Sequence, residues 1–545
     1  MQTSAKNKLS RANNEPNSDR KSIRIFLFCF VWLIEFSASA QNIWFVQFAE
    51  KDWKEIPAEY CFDEKALERR VIEGIPFPQL SDLPPDSEKI EAVEKLSGKS
   101  RYVLCWLNGI SIECNSEVAK QIAGFSFVKQ VIPLGTSVLE ISSTQEDTSP
   151  FKKNLLRMQR SQMNLDRFVT ESLNGKGVRI AIFDAGFSEA NTHPGLSHIF
   201  DKGKLIEQKD FYSNKSDVFF HSSHGTNVLG CIAGYYEGNF PIGAAQEAEF
   251  LLARTEHNIH EKPIEEDHWM AAMEWADRKG ADIISSSLGY SGKRHPYAQM
   301  DGATTLVTQA ARIATSKGIL VVNAAGNEGG GKFHYLSAPA DADSILTVGG
   351  TMPNLKLHIK FSSFGPNAAG KMKPDVCAPA YVLTTGKKAE YEVVPGTSFS
   401  TPLVAGFAAC VKQLHPEWKA AELWEAVRQS GHLYPYFDYA HGFGVPDAGS
   451  FFGDSVTHLP TFTTLTRNDS IFVLPDPRVL FSDTSDNKNG KVLYYHVADH
   501  SGDLIAYNFD LVKPGTIAYF IPGETRRKGI LRIWFEGYLL EMKKL

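Results

Sequence analysis

Four short segments carry side chains that can do chemistry. In Ile180-Ala181-Ile182-Phe183-Asp184-Ala185-Gly186 an acid ends an apolar β run and a turn glycine follows. Sites in open parallel sheets form outside the carboxyl ends of strands, although a strand-ending Asp also serves as a plain turn or cap residue. In His224-Gly225-Thr226-Asn227-Val228-Leu229-Gly230-Cys231-Ile232-Ala233-Gly234 a histidine opens an apolar, small-residue helix. It reads as a base or as an ordinary helix-start residue. His221 nearby raises a metal pair, but no second ligand cluster supports one. In Gly396-Thr397-Ser398-Phe399-Ser400-Thr401-Pro402-Leu403-Val404-Ala405-Gly406 small residues lead a serine into a helix. Ser398 is either a simple N-cap or a nucleophile whose own N–H faces a reacting carbonyl at the positive helix end. In Val321-Val322-Asn323-Ala324-Ala325-Gly326-Asn327-Glu328-Gly329 an amide lies just beyond a buried strand. Asn327 either stabilises its own turn or donates to a developing oxyanion.

The elements that must position these groups alternate. Val178–Phe183, Phe250–Arg254, Asp282–Ser286 and Ile319–Ala324 read as short apolar strands. Asp267–Arg278, with Trp269, Met270, Met273 and Ala276 at helical spacing, Ala303–Thr315, Ser398–Leu414 and Trp418–Gln429 read as helices. That alternation predicts an α/β fold, a parallel sheet covered by helices, over residues 150–452. Before it, residues 41–145 read as a small α/β module of split βαβ type. Its strands are expected at Ile43–Phe48, within Tyr102–Cys114 and at Phe125–Ile132. Its helices are expected at Phe62–Ile75 and from a Ser116 cap to Ala123, with Pro76–Pro85 as loop. Ser142–Lys153 reads as a polar linker. After Leu459, recurring aromatics and β-branched residues with turns such as Asp486-Asn487-Lys488-Asn489-Gly490 predict a β-rich C-terminal domain, 455–545.

Composition bounds the function. The chain has 545 residues, a formal net charge of −6 and 22% charged residues, so it lacks the basic footprint of a nucleic-acid binder. No apolar run reaches 18 residues, which excludes a polytopic membrane protein. Arg20, Lys21 and Arg24 precede the apolar Ile25–Ile34, and Ser37-Ala38-Ser39-Ala40 follows. This is the pattern of a secretory signal peptide over residues 1–40, cut after Ala40. Cys29 would leave with it. Cys61, Cys105, Cys114, Cys231, Cys377 and Cys410 show no metal spacing or dense disulfide framework and read as buried structural thiols. A Cys105–Cys114 bridge is an unsupported alternative.

Together the segments are more specific than any one of them. The order is Asp184, His224 and Ser398, and the shared stretch runs from Lys176 to Asp447. It also contains Phe364-Gly365-Pro366, Lys373-Pro374-Asp375-Val376-Cys377-Ala378-Pro379 and Gly396-Thr397-Ser398. This resembles the subtilisin-like serine peptidases of secreted bacterial type. The resemblance implies that Ser398 attacks the scissile carbonyl, that His224 moves the proton, and that Asp184 orients the imidazole. It implies that Asn327 and the Ser398 N–H hold the oxyanion. It implies that Ser287, Leu288 and Gly289 form a substrate-binding edge strand, facing Ala324, Ala325 and Gly326 across the first specificity pocket. It implies protein or peptide substrates and no organic cofactor. Calcium commonly stabilises such enzymes, but no ligand loop can be named. Two departures are Tyr290, where many relatives have a second Gly, and Phe399-Ser400-Thr401 after the serine; Tyr290 is expected to narrow or cover part of the cleft.

The N-terminal module is more loosely similar, from Arg101 and Tyr102 through Pro133, to the inhibitory pro-segments of that family. The alternative is a permanent accessory domain. The C-terminal domain is expected to pack on the catalytic domain; carbohydrate or cell-surface binding and a secretion tail at Leu540–Leu545 are its alternatives. The expected location is extracellular, periplasmic or cell-surface, with no transmembrane span after leader removal. Two rivals are an inactive relative used as a binding scaffold and a non-peptidase serine hydrolase. The second normally carries a Gly-x-Ser-x-Gly elbow and the order Ser, Asp, His, which this chain lacks.

Overall fold

Apolar, β-branched runs that end in small or polar residues build the central sheet. The structure, a computed structural model, describes residues 42–543 except 54, 135–148, 257–264, 293–294, 454–458, 469, 481–489 and 524–528. The expected leader and most of the expected linker lie outside the described residues.

The N-terminal module pairs β1 (Asn42–Phe48), β2 (Tyr102–Leu104), β3 (Gly109–Cys114) and β4 (Val128–Pro133) antiparallel in the order β2-β3-β1-β4. Between β1 and β2 stand α1 (Glu64–Glu73) and α2 (Ser87–Ser97), and α3 (Ser116–Ala123) precedes β4. Helix α2 was not legible as a helix. It is mostly polar, Val93 is its one fully buried residue, and the Asp86 side chain caps it by accepting from the Glu88 N–H at 2.9 Å. The cap of α3 is Asn115, not Ser116; its Oδ1 accepts from the Val118 N–H.

The central region begins with α4 (Ser149–Gln162) and α5 (Asp166–Thr170). Helix α4 starts inside the expected linker. Only Leu155, Leu156, Gln159 and Arg160 of its described side chains are fully buried, so its apolar stripe is too sparse to read. Then come β5 (Arg179–Asp184), α6 (Ser197–Asp201), β6 (Leu205–Asp210), α7 (His224–Ala233), the small hairpin β7 (Tyr235–Tyr236) and β8 (Phe240–Pro241), and β9 (Glu249–Arg254). There follow α8 (Glu265–Arg278), β10 (Ile283–Ser286), α9 (Leu306–Ser316), β11 (Leu320–Ala324), β12 (Leu346–Thr351) and β13 (Val376–Pro379). The hairpin β14 (Tyr381–Thr385) with β15 (Tyr391–Pro395) leads to α10 (Thr397–Leu414) and α11 (Ala420–Gln429).

The sheet runs β13-β12-β11-β10-β5-β9-β6, and every neighbouring pair is parallel. Both faces are covered, as a parallel sheet requires. One core cluster joins Ile180, Ile182, Leu252 and Val322 to Val228 and Leu229 of α7 and Val404 and Phe407 of α10. The other joins Ala181, Phe183 and Val321 to Trp269 and Met273 of α8 and Val307 of α9. Alternate residues of β5 thus face opposite layers.

The C-terminal region forms two antiparallel sheets from β16 (Phe462–Arg467), β17 (Ser470–Pro475), α12 (Pro477–Leu480), β18 (Lys491–Ala498), β19 (Leu504–Val512), β20 (Tyr519–Ile521), β21 (Ile530–Phe535) and β22 (Tyr538–Met542). The sheets are β16-β17-β20 and β19-β18-β21-β22. They pack on the central region through Leu433, Tyr436, Tyr494 and Trp534. The Tyr494 hydroxyl donates to Lys356 O at 2.9 Å and His496 Nδ1 to Phe437 O at 2.6 Å. All six described cysteines are free, so Cys105 and Cys114 are not bridged. Cys61 is exposed, against the expectation of burial, because it sits in the loop before α1 rather than on an apolar face.

Candidate active site

The parallel register sets Asp184 at the last position of β5 and His224 at the first of α7. The loop after β5 and the start of α7 touch through a Gly225 N–H to Gly186 O bond of 3.0 Å. A Cβ on Gly225 would overlap Gly186 O and press on the Phe187 ring, so only glycine permits this approach. Ser222 Oγ accepts the His224 N–H at 3.1 Å, fixing the helix start.

Asp184 is completely buried. His224 Nδ1 lies 2.9 Å from each of its carboxylate oxygens, and Oδ1 also accepts the Ala185 N–H at 2.8 Å. With Nδ1 bound to a carboxylate, Nδ1 carries the proton and Nε2 is left as the acceptor. Burial, the largest single influence, pushes the imidazolium down. The charge of Asp184 and its hydrogen bond oppose this and prevail, so His224 is raised above its ordinary value of 6.5. The ring is one-fifth exposed and packs against Phe399, with ring centroids 5.1 Å apart.

Ser398 is the second residue of α10, not its cap; the cap is Gly396, at φ 144°, a conformation open to glycine. Helices α7 and α10 pack on each other, which brings His224 and Ser398 to one end of the sheet. In this structure the Ser398 hydroxyl donates to Ser287 O at 3.3 Å rather than to His224. Hydrogen bonds of this kind often tighten only when substrate is present.

Two features here were not read from the sequence. Pro402, inside α10, lacks the N–H that would bond the carbonyl four residues back, Ser398 O. The Ser287 hydroxyl donates to that carbonyl instead, at 2.6 Å. Ser287 thus holds Ser398 through both its hydroxyl and its carbonyl. The second feature fixes Asn327. Its Oδ1 accepts from both the Thr397 N–H and the Thr397 hydroxyl, each at 3.0 Å. That orients the amide, because an oxygen and not an NH2 must face two donors. Nδ2 is turned toward the start of α10, 3.8 Å from where a Cβ on Gly396 would stand.

Ser287, Leu288 and Gly289 continue β10 past its last paired residue. Leu288 O accepts from Asn323 Nδ2 at 3.0 Å, and Tyr290 pairs in both directions with Ala338, at 2.8 and 3.1 Å. Between them, Gly289 N–H and C=O have no partner among the described residues. Opposite, Ala324 ends β11 and Ala325 and Gly326 follow it, with Ala325 N–H bonded to Val348 O and Gly326 O to the Ser363 N–H. Ser337 lies between these two walls. A Cβ on Gly289 would overlap Ser337 Oγ, and one on Gly326 would come within 3.3 Å of it. No sequence signal marked Ser337. Tyr290 turns inward rather than over the cleft: it is 1% exposed and its hydroxyl donates to Glu265 O. The expected narrowing is therefore not what this side chain does. Among the described residues no three His, Cys, Asp or Glu side chains are placed to hold a metal ion.

Comparison with known proteins agrees with this architecture. Residues 175–444 match the subtilase family model, and residues 43–149 match the Bacteroidota propeptide domain of the same peptidases. Subtilisin Savinase of Lederbergia lenta is 31% identical over 252 residues, 46% of this chain and 82% of that one. M-protease of Shouchella clausii (strain KSM-K16) is 31% identical over 252 residues, and the match spans 58% of its length. Subtilisin E of Bacillus subtilis (strain 168) is 28% identical over 383 residues, 70% of this chain and 90% of that one. With its parallel sheet, its preceding propeptide domain and a relative matched over four-fifths of its length, the chain belongs to the subtilase family of serine endopeptidases.

Proposed function

We propose that this chain is a secreted endopeptidase that hydrolyses peptide bonds of proteins through Asp184, His224 and Ser398. The observation that carries the reading is the two-oxygen contact of the buried Asp184 carboxylate with His224 Nδ1, one helix away from Ser398. Rotation of the Ser398 hydroxyl off Ser287 O turns its proton to His224 Nε2. As Oγ attacks the carbonyl carbon, Nε2 takes that proton, and Asp184 stabilises the imidazolium. The carbonyl oxygen becomes an oxyanion facing Asn327 Nδ2 and the Ser398 N–H. His224 then gives the proton to the leaving amine, and water repeats the sequence on the acyl-enzyme. These steps use the chain's own side chains and water.

The substrate lies extended along Ser287, Leu288 and Gly289, where the unpaired Gly289 peptide groups offer one donor and one acceptor to a further strand. Its first side chain enters between that strand and Ala324, Ala325 and Gly326, with Ser337 setting the depth. The N-terminal module acts as the chain's own inhibitor before maturation. Leu134, the last residue described before the junction, is buried in the same cluster as Leu288 and Tyr290, which supports an approach toward the cleft. Export fits the leader pattern, and no helix among the described residues is long and apolar enough to cross a membrane.

A serine-directed fluorophosphonate should label the mature protein, and Ser398→Ala should abolish both labelling and casein cleavage. Mature wild-type protein that neither labels nor cuts protein would favour the scaffold reading instead.

A further inference from the structure

One residue brackets Asn327. The Ser363 N–H donates to Gly326 O at 3.0 Å, and Ser363 Oγ accepts the Glu328 N–H at 3.0 Å. The Gly329 N–H adds a bond to Phe361 O at 2.8 Å. The backbone on both sides of the Asn327 amide is therefore tied to the segment 358–365. Whatever holds that segment decides how firmly Nδ2 is aimed.

The loop 438–441 holds it at both ends. The Gly365 N–H donates to Tyr439 O at 2.9 Å, and the His358 N–H donates to His441 Nε2 at 2.8 Å. A backbone N–H can only donate, so Nε2 of His441 is the bare nitrogen and Nδ1 carries the proton. Nδ1 lies 3.0 and 3.2 Å from the two carboxylate oxygens of Asp438 and donates to them. Asp438 Oδ1 also accepts the N–H groups of Ala440 at 2.9 Å and His441 at 2.7 Å. Both side chains are fully buried. The His358 ring carries the link onward. Its Nε2 donates to Ser362 O at 3.0 Å, and the ring packs on Phe364 with centroids 4.3 Å apart.

The C-terminal sheet seals this series. Tyr494 of β18 and Phe509 of β19 stand at right angles to the His441 ring, with centroids 5.1 and 4.6 Å away. The Tyr494 hydroxyl also donates to Lys356 O, two residues before His358, at 2.9 Å. With water excluded, nothing competes for the two bonds of the His441 imidazole, and a His358 N–H deprived of its acceptor has no substitute partner.

We propose that Asp438 and His441 are positioning residues for the oxyanion donor Asn327, and that the C-terminal sheet is a working part of the active site because it encloses them. This rests on the reading of Asn327 as that donor. None of these groups touches substrate. Their effect passes through His358 and Ser363 to the backbone flanking Asn327, and a misaimed Nδ2 weakens the transition state more than the ground state. The loss therefore falls on kcat, while KM, set by the Gly289 strand, stays.

The test is a double-mutant cycle. His441→Phe keeps a ring in the buried space and removes the acceptor; His441→Gln restores an acceptor through Oε1. Rates on a peptide substrate are taken per active site, counted by fluorophosphonate labelling carried to completion, so that unfolded protein does not enter. His441→Phe should lower kcat about tenfold with KM within twofold, and His441→Gln should stay within about threefold of the parent. In an Asn327→Ala background, already slowed by about 10²–10³, His441→Phe should cost less than about twofold more. Tyr494→Phe removes only the hold on Lys356 O and should lower kcat about threefold, so it reports even where His441→Phe fails to fold. In the Ser398→Ala chain, which needs no activity, amide hydrogen exchange at Ser363 should quicken at least about fivefold in both variants. Parent-like kcat in His441→Phe and Tyr494→Phe would overturn the proposal, and so would a tenfold loss that repeats in full in the Asn327→Ala background. An Asn327→Ala enzyme as fast as the parent would instead remove the oxyanion reading itself, and this proposal with it.

Discussion

Ser287→Ala tests how Ser398, the proposed nucleophile, is held. The substitution removes the hydroxyl that donates to Ser398 O at 2.6 Å. Pro402 cannot replace it, having no N–H, and Ser398 is 8% exposed, so water has little access. A buried acceptor left unpaired costs about 1–3 kcal/mol. If that cost appears as a misplaced Ser398, it lowers the rate by about 5- to 150-fold. The loss should fall on kcat and on the rate of fluorophosphonate labelling, with KM changed little. Pro402→Ala should rescue it, because an alanine N–H at that position can bond Ser398 O directly and relieves an interior helix proline. The double variant should recover most of the labelling rate, giving a coupling energy of about 1 kcal/mol or more. Labelling of Ser287→Ala within twofold of wild type would refute the reasoning, and so would effects that simply add in the double variant.

Asn327→Asp should keep the two bonds from Thr397 to Oδ1 while losing the Nδ2 donor. The fold, read by thermal melting, should be nearly unchanged while kcat falls by about 10²–10³, a magnitude taken from subtilisin itself. His224 must be neutral to accept the serine proton, and its pKa is raised, so kcat/KM should rise with pH through a midpoint above 6.5. In Asp184→Asn burial acts on the imidazole unopposed, and the midpoint should fall below 6.5, with kcat lowered by about 10⁴ as in other enzymes of this mechanism; an unmoved midpoint would count against the assigned pair. Stability should fall in mild acid for a separate reason. Burial, the neighbouring His441 and His334 against Asp438 and a bond to Ser362, holds His358 down to about 3, and burial with Arg532 against Phe437 O, Asp438 and Glu541 holds His496 down to about 4. Both stay neutral when folded but gain a proton when unfolded below about 6.5, so each removes about 1.4 kcal/mol of stability per pH unit below that value. Urea unfolding at pH 7.5 and pH 5 should show this, and His496→Gln should flatten the slope.

What the sequence revealed depends on how each element is stabilised. Four strands of the parallel sheet, β5, β9, β10 and β11, and helices α8, α9 and α10 were legible because burial on both faces demands apolar runs, and those runs are their signature; β6, polar and only partly buried, and β12 and β13, short and rich in small residues, were not. Helices α2 and α4 were not. The first is held by a cap and one buried valine, and the second by Leu155, Leu156 and an Arg160 whose guanidinium bonds Asp166 and Gly243 O. Polar anchors of that kind leave no period. Tyr290 misled for a related reason: an aromatic in place of a glycine suggests obstruction, yet its backbone pairing with Ala338 turns the ring inward.

The candidate site divides along the same line. Asp184, His224, Asn327 and Ser398 each stand beside small residues, since a close approach of backbones needs glycine at 225 and a φ of 144° favours it at 396, and small residues grouped in this way are visible in one dimension. Whatever fixes those groups through a distant partner is invisible there. Ser287 acts on Ser398 across 111 residues, Thr397 orients Asn327 across 70, and Arg69 reaches the C-terminal ends of α8 and α9 over more than 200. Each of these long links answers a need created locally: a proline that withdraws a donor, an amide with two possible orientations, helix ends with unbonded carbonyls. Local sequence therefore states the demand, and only the fold identifies the residue that meets it. For that reason the Ser287 and Pro402 pair is the sharper experiment, because it supplies the missing donor locally and asks whether the distant residue is still needed.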